Sequence, residues 1–198
     1  VFGTVTKSAV ATGADLVGYT FNSDNDRLEQ PYNSDLDFGT GDFHYTWWMK
    51  NTSIGSYQGI FTRGNGKLEM IYTSSEELSV RVGSSTQIIS SSLPVDVWNH
   101  CLVVRRGGVV YTYINGELDN SNASNGTGSV DTSVALTVGN RASELTREFS
   151  GSLALLRGSA TAPSPEQIKY IYESEKVLFQ DGAQATLYGD SDAVTALA

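Results

Sequence analysis

The sequence predicts an all-β sandwich with one short helix near its C-terminal end. Three observations carry that prediction. Short apolar or alternating runs recur along the chain, Gly, Asn, Asp and Ser clusters separate them, and one segment, 164–179, switches to helical spacing. The 198 residues suit one sizeable domain able to bury its own core without cross-links.

Taken in order, "DLVGYTF" (15–21) reads as an early strand, and "DFGTGDFHYTWWMK" (37–50) as a turn leading into a longer one. "YQGIFTRGNGKLEMIYT" (57–73) predicts a hairpin around Asn65-Gly66, a dipeptide that favours a type I′ turn because both central residues need positive φ. In "ELSVRVG" (77–83), Leu78, Val80 and Val82 alternate with Ser79 and Arg81, as on a half-buried strand. "WNHCLVVRRGGVVYTYINGEL" (98–118) gives two strands joined at Gly107-Gly108, then a further turn at Asn115-Gly116. "VALTVG" (134–139) and "FSGSLALLRG" (149–158) complete the strands, and the Ser/Asn/Gly-rich stretch 119–133 reads as a long loop. The helix opens with Ser164 as N-cap, Pro165 in the first turn and Gln167 closing a capping box. Ile168, Ile171, Tyr172, Glu175 and Leu178 then share one face, so the helix packs on the sandwich or on a neighbour.

"FHYTWWMK" (43–50) poses a particular question. Neighbours on a strand point to opposite faces, so Phe43, Tyr45, Trp47 and Met49 form a core set while His44, Thr46, Trp48 and Lys50 share the other face. A Trp on that polar side is either covered or offered to a ligand.

Composition narrows the function. A net charge of −9 argues against nucleic acids and anionic membranes, which require basic surfaces. It is compatible with Ca²⁺, and "NSDND" places Asn22, Asp24 and Asp26 at alternating positions as oxygen ligands of a structural calcium would be. Arg27 follows where an EF-hand loop has Gly, and Asn and Asp also favour turns for their own reasons. The single cysteine, Cys101, excludes an intrachain disulfide and is expected to pack as a small hydrophobe. No apolar run approaches the roughly 18 residues a spanning helix needs. The first residue, Val1, and the closing "DAVTALA" suggest a piece of a longer polypeptide, with the domain at 1–180 and a linker or further domain starting at 181–198.

The ordered set "LDFGTGDFHYTWWMK", "GIFTR", "WNHCLVVRRGGVVYTYINGEL", "LTVGNR", "FSGSLALLRG" and "SPEQIKYIYESE" resembles the laminin-G-like members of the concanavalin A-like lectin/glucanase superfamily. The features are Asp42-Phe43 with Trp48, Trp98 with His100, Ile114-Asn115-Gly116 and Phe149-Ser150-Gly151, and the resemblance covers roughly 15–179. It implies a two-sheet antiparallel jelly roll, with Trp48 at a recurring position and therefore covered by a loop or by the helix. The C-terminal half also resembles such domains in phage tail-fibre and other virion proteins, which implies an adhesive or architectural role on a virion or outside a cell.

The same superfamily includes glycanases, so catalysis needs a test. Retaining glycosidases of this fold carry two Glu and an Asp on one strand, because nucleophile and acid must flank one bond about 5–5.5 Å apart. Glu76 and Glu77 point to opposite faces, Glu117 and Asp119 have no third acid, and the two histidines build no Ser/His/Asp set. The expectation is a non-enzyme that recognises a glycan or host-surface receptor. Its candidate ligand residues are Trp48, His44, Tyr57, Arg63, Asn65, Asn140 and Arg141, which supply an aromatic ring and planar polar groups. The alternative is a structural module that forms homo-oligomers or spaces the other domains of its polypeptide.

Overall fold

The computed structural model describes residues 1–83, 88–122, 126–141, 145 and 147–184. Among the described residues thirteen strands form two sheets. They are β1 (Thr6–Ala9), β2 (Val17–Phe21), β3 (Leu28–Gln30), β4 (Phe43–Asn51), β5 (Gln58–Arg63), β6 (Leu68–Tyr72) and β7 (Glu77–Val82). β8 (Ile88–Ser92), β9 (Asn99–Arg106), β10 (Val109–Ile114), β11 (Glu117–Asn122), β12 (Leu136–Val138) and β13 (Gly151–Ser159) follow. One sheet has seven strands in the order β1-β2-β13-β4-β9-β10-β11, the other six in the order β3-β12-β5-β6-β7-β8. The pairings are antiparallel. This is the two-sheet jelly-roll sandwich that the sequence leads one to expect.

The core lies between the sheets. From β4 come Phe43, Tyr45, Trp47 and Met49, and opposite them lie Phe61, Met70, Tyr72, Leu78, Val80 and Val82. The Trp47 ring meets Phe61 edge-on at 5.0 Å between centroids, a geometry aromatic quadrupoles favour. Cys101 is fully buried here and burial pushes its thiol pKa up, as expected of a packing residue.

The turns follow their residues, with one correction. Gly107-Gly108 and Asn115-Gly116 all have positive φ and close two-residue loops between Arg106 and Val109 and between Ile114 and Glu117. Asn65-Gly66 does not. Arg63 pairs with Leu68, so the loop has four residues, and Gly64 and Gly66 take positive φ while Asn65 stays outside that region. Gly64, present at the loop start, absorbs the reversal that a type I′ turn would have placed on Asn65. The expected loop at 119–133 is also corrected, since β11 extends to Asn122; residues 123–125 of that stretch lie outside the described residues, as do 185–198 of the expected linker.

A helix, α1 (Pro165–Glu175), runs into a 3-10 turn over Lys176–Phe179. Ser164 Oγ accepts from the Gln167 amide, and Gln167 Oε1 accepts from the Ser164 amide at 2.8 Å, which completes the capping box. The helix lies on the outer face of the seven-stranded sheet. Ile168 packs with Leu102, Val104 and Tyr113. Beyond the 3-10 turn the chain returns to its N-terminal part: the Gly182 amide donates to Thr12 O at 2.7 Å, the Asp15 amide to Ala183 O at 2.9 Å, and the Thr12 amide to Asp181 Oδ1 at 3.0 Å.

Candidate functional site

Trp48 answers the question of its face. It is 3% exposed, stacked on Phe179 at 4.1 Å and on Tyr172 at 5.8 Å. Its Nε1 donates to Glu175 Oε2 at 2.8 Å, and Arg157 holds the other oxygen of that carboxylate at 2.5 Å. The ring is thus wrapped by the end of α1 and presents no face to a ligand. His44, four residues earlier on the same face of β4, has its Nδ1 2.8 Å from Thr161 O, tying the start of β4 to the approach of the helix.

Two other candidates also hold loops in place. Arg63 is buried, donating to Leu36 O, Asp37 Oδ1 and Thr132 O at 2.8, 2.6 and 2.8 Å. Asn140 is buried, donating to Asp24 O and Leu145 O and accepting from the Arg141 amide. Asn65 is exposed at its turn, at the far end of β5 from Tyr57.

Asp26, one of the three candidate calcium ligands, is engaged within the chain. That carboxylate is buried and accepts from the amides of Thr4 (2.5 Å), Asn22 (2.9 Å) and Ser23 (3.1 Å) and from the hydroxyls of Ser23 (2.8 Å) and Thr4 (3.3 Å). Burial alone would raise its pKa, yet the bonds from Asn22, Thr4 and Ser23 outweigh it and hold the group below the usual carboxylate range. Its lone pairs face donor hydrogens, so Asp26 closes a loop onto the N-terminal segment. Among the described residues no three His, Cys, Asp or Glu are grouped to hold a metal.

His100 is equally structural. It is buried against Trp48 and Tyr172, with Nε2 2.8 Å from Thr46 Oγ1. Burial, aided by the Arg157 charge, lowers its pKa from 6.5 to about 4. Between those two values the unfolded chain binds the proton and the folded chain does not, so stability is lost as pH falls through that window. The loss attributable to this ring is about 3 kcal/mol at full extent. Urea unfolding at pH 7 and pH 4.5 checks it: His100→Gln, which does not titrate, is expected to show a shallower loss than the wild type. Equal losses in both would remove His100 as the cause.

Tyr57 and Arg141 do come together. They line a cleft of about 300 Å³ with Ile71, Ser79, Arg81 and Arg147. Its floor is the outer face of the six-stranded sheet. The inner-facing residues of β6 and β7 fill the core, which leaves Glu69, Ile71, Ser79 and Arg81 on the opposite face, with Glu69 paired across to Arg81 and Ile71 to Ser79. Its wall is formed, among the described residues, by Arg141 and Arg147 between β12 and β13. Gly59 allows that wall to lie against β5: a Cβ there would come within 2.5 Å of the backbone of Asn140 and Arg141.

One buried carboxylate organises the cleft. Glu69, 1% exposed, receives Arg81 Nη1 on Oε2 at 2.7 Å and Arg141 Nη2 on Oε1 at 3.3 Å. Arg147 sits 5.6 Å from the centroid of the Tyr57 ring, which is 48% exposed. The described residues lining the cleft thus offer planar cations, a hydroxyl and an aromatic face, and none of these is an Asp or Glu. Arg81, Ser79, Ile71 and Arg147 are functional candidates that sequence reasoning missed. The signal was present as Ser79 and Arg81 on the polar face of their strand, but only the pairing with β6 puts Glu69 beside Arg81.

A two-sheet sandwich with an open polar cleft on its smaller sheet defines a lectin-like domain. A laminin-G-type family model, described as Concanavalin A-like lectin/glucanases superfamily, matches residues 22–169, and the chain belongs to that family. A search of curated protein sequences finds no match. Among solved structures, the binding domain of Paraclostridial Mosquitocidal Protein 1 superposes with a TM-score of 0.71 at 17% identity, over 88% of this chain and 46% of that one. The receptor binding domain of the botulinum neurotoxin C/D mosaic serotype gives 0.69 at 15%, over 88% and 45%. The chain therefore spans under half the length of these two domains. Domain 4 of AbnA, an extracellular arabinanase from Geobacillus stearothermophilus, in complex with arabinotriose, gives 0.63 at 19% identity, over 86% and 82%. At these identities the likeness is one of fold. No helix among the described residues is long and apolar enough to cross a membrane.

Proposed function

We propose that this domain is a non-catalytic carbohydrate-recognition module of an extracellular or virion protein, and that the cleft on the six-stranded sheet is its binding site. The observation that carries the reading is the half-exposed Tyr57 ring set beside Arg147 at the edge of a cleft that also holds Arg81, Arg141 and Ser79. An aromatic ring covers the apolar face of a pyranose, and planar donors meet its hydroxyls. A glycosidase would need two carboxyl groups facing one bond. Here Glu69 lies beneath the cleft and is committed to two arginines. The arabinotriose complex of an arabinanase's domain 4 supports a sugar-binding use of this fold.

A glycan array tests the proposal. Binding to a defined glycan class is expected, weakened about tenfold or more in Tyr57→Ala, in line with ~1.4 kcal/mol per tenfold. The signal is expected to survive EDTA, because the cleft is lined by arginines and a tyrosine. Silence across the array, or Tyr57→Ala binding as well as the wild type, would overturn this assignment, and a multimer by light scattering would then favour the structural alternative.

A further inference from the structure

The cleft is cationic in a protein whose net charge is −9. Of the thirteen Lys and Arg residues in the chain, three arginines line this one cleft. A guanidinium has five N–H donors in a rigid planar fork that matches a carboxylate or sulfate in a way the point charge of a lysine does not. Each arginine here is engaged within the protein, and that engagement fixes the position of its fork. Glu69 is the clearest case: one buried carboxylate places a guanidinium on each of its oxygens, from β7 and from the wall, while lying too deep to occupy the cleft itself. A pair of forks held from below and a third at the Tyr57 ring surround a volume of about 300 Å³. That is at the small end of ligand clefts, which run roughly from 300 to 1,000 Å³, and suits the terminal sugar of a chain.

We infer that the cleft selects saccharides bearing an anionic group, with the arginines receiving the acid and Tyr57 covering the adjoining ring face. Selection of an acidic ligand by a protein that repels anions overall requires a local concentration of cations, since fields from distant surface charges are screened beyond about 8 Å at physiological salt. The inference rests on the reading of the cleft as a saccharide site and adds the class of saccharide.

Matched pairs of glycans test it. The wild-type domain is titrated with oligogalacturonate against oligogalactose, sialyllactose against lactose, and 6-sulfated against unsulfated N-acetyllactosamine. At least one acidic member is expected to bind ten times or more tightly than its neutral partner, and the pairs separate carboxylate from sulfate recognition. Arg147→Gln leaves both Glu69 pairs in place and is expected to remove most of that preference with the far-ultraviolet spectrum unchanged. Arg81→Lys, which keeps a charge on Glu69 but loses the fork, is expected to reduce it. Equal affinity for acidic and neutral partners would overturn the inference and leave the carbohydrate proposal standing. Absence of binding by every member of the set, with none on the array, would overturn both.

Discussion

Arg105→Met is expected to lower the unfolding free energy by about 3–4 kcal/mol. Arg105 lies on β9 and is fully buried. Its Nε donates to Gly41 O at 2.6 Å, Nη1 to Gly128 O at 2.8 Å and Nη2 to Gly39 O at 2.7 Å, and its guanidinium lies 4.8 Å from the Phe43 ring centroid. Burial lowers its pKa, opposed by the charges of Asp42 and Asp131. One side chain therefore pins two loops, 38–42 and 126–130, through three carbonyls. A hydrogen bond to a charged group is worth about 1.5–3 kcal/mol, but desolvating the guanidinium offsets part of the total. Methionine keeps the apolar stem and strands the carbonyls. Urea denaturation measures the change, and Arg105→Lys, which cannot reach all three acceptors at once, should fall between. Wild-type stability in the methionine variant would mean that the three bonds only offset the cost of burying the charge.

Trp48→Ala is expected to cost about 3–5 kcal/mol, the usual range for emptying a large aromatic site. The loss is local in origin. Phe179 and Tyr172 lose their stacking partner and Glu175 loses a donor, while the main core around Trp47 is untouched. Hydrogen exchange should therefore show α1 and the 3-10 turn losing protection before the two sheets. Trp48→Phe keeps a ring in the stack and removes only the Nε1 bond, so a loss of about 1 kcal/mol is expected. Unchanged protection of α1 in Trp48→Ala would refute its role as the helix anchor.

What the sequence disclosed and what it hid divide along one physical line. The strands with a buried face declared themselves through alternation, as in Leu78, Val80 and Val82 of β7, and the helix start through its capping residues. The strands that escaped notice, β1, β3, β8 and β11, are the four outermost members of the two sheets. "TKSA", "LEQ", "IISSS" and "ELDNSN" have one neighbour each, so much of their length meets water and little apolar pattern is required of them. Of the cleft, Tyr57 and Arg141 were legible by residue type. Glu69, Arg81 and Arg147 were not, because their meaning comes from register and from a loop folded over Gly59. Arg63 and Asn140 are engaged inside the fold for a related reason: donors suited to a ligand serve equally well for the backbone carbonyls of neighbouring loops. Trp48 shows the same limit, since a strand's polar side is solvent-facing only where no helix lies on it.

The three bonds between residues 12–15 and 181–183 have a mechanical consequence. Tension entering from the C-terminal flank would reach this join first, whereas tension from the N-terminal flank would load the Phe2–Arg27 bridge and β1 before it. Once the join parted, the pull would pass to Phe179 and peel the 3-10 turn from Trp48, changing the environment of an indole that is otherwise shielded. Stretching the domain in an optical trap while following tryptophan emission would thus separate an early, low-force step at the helix from the later rupture of the sandwich.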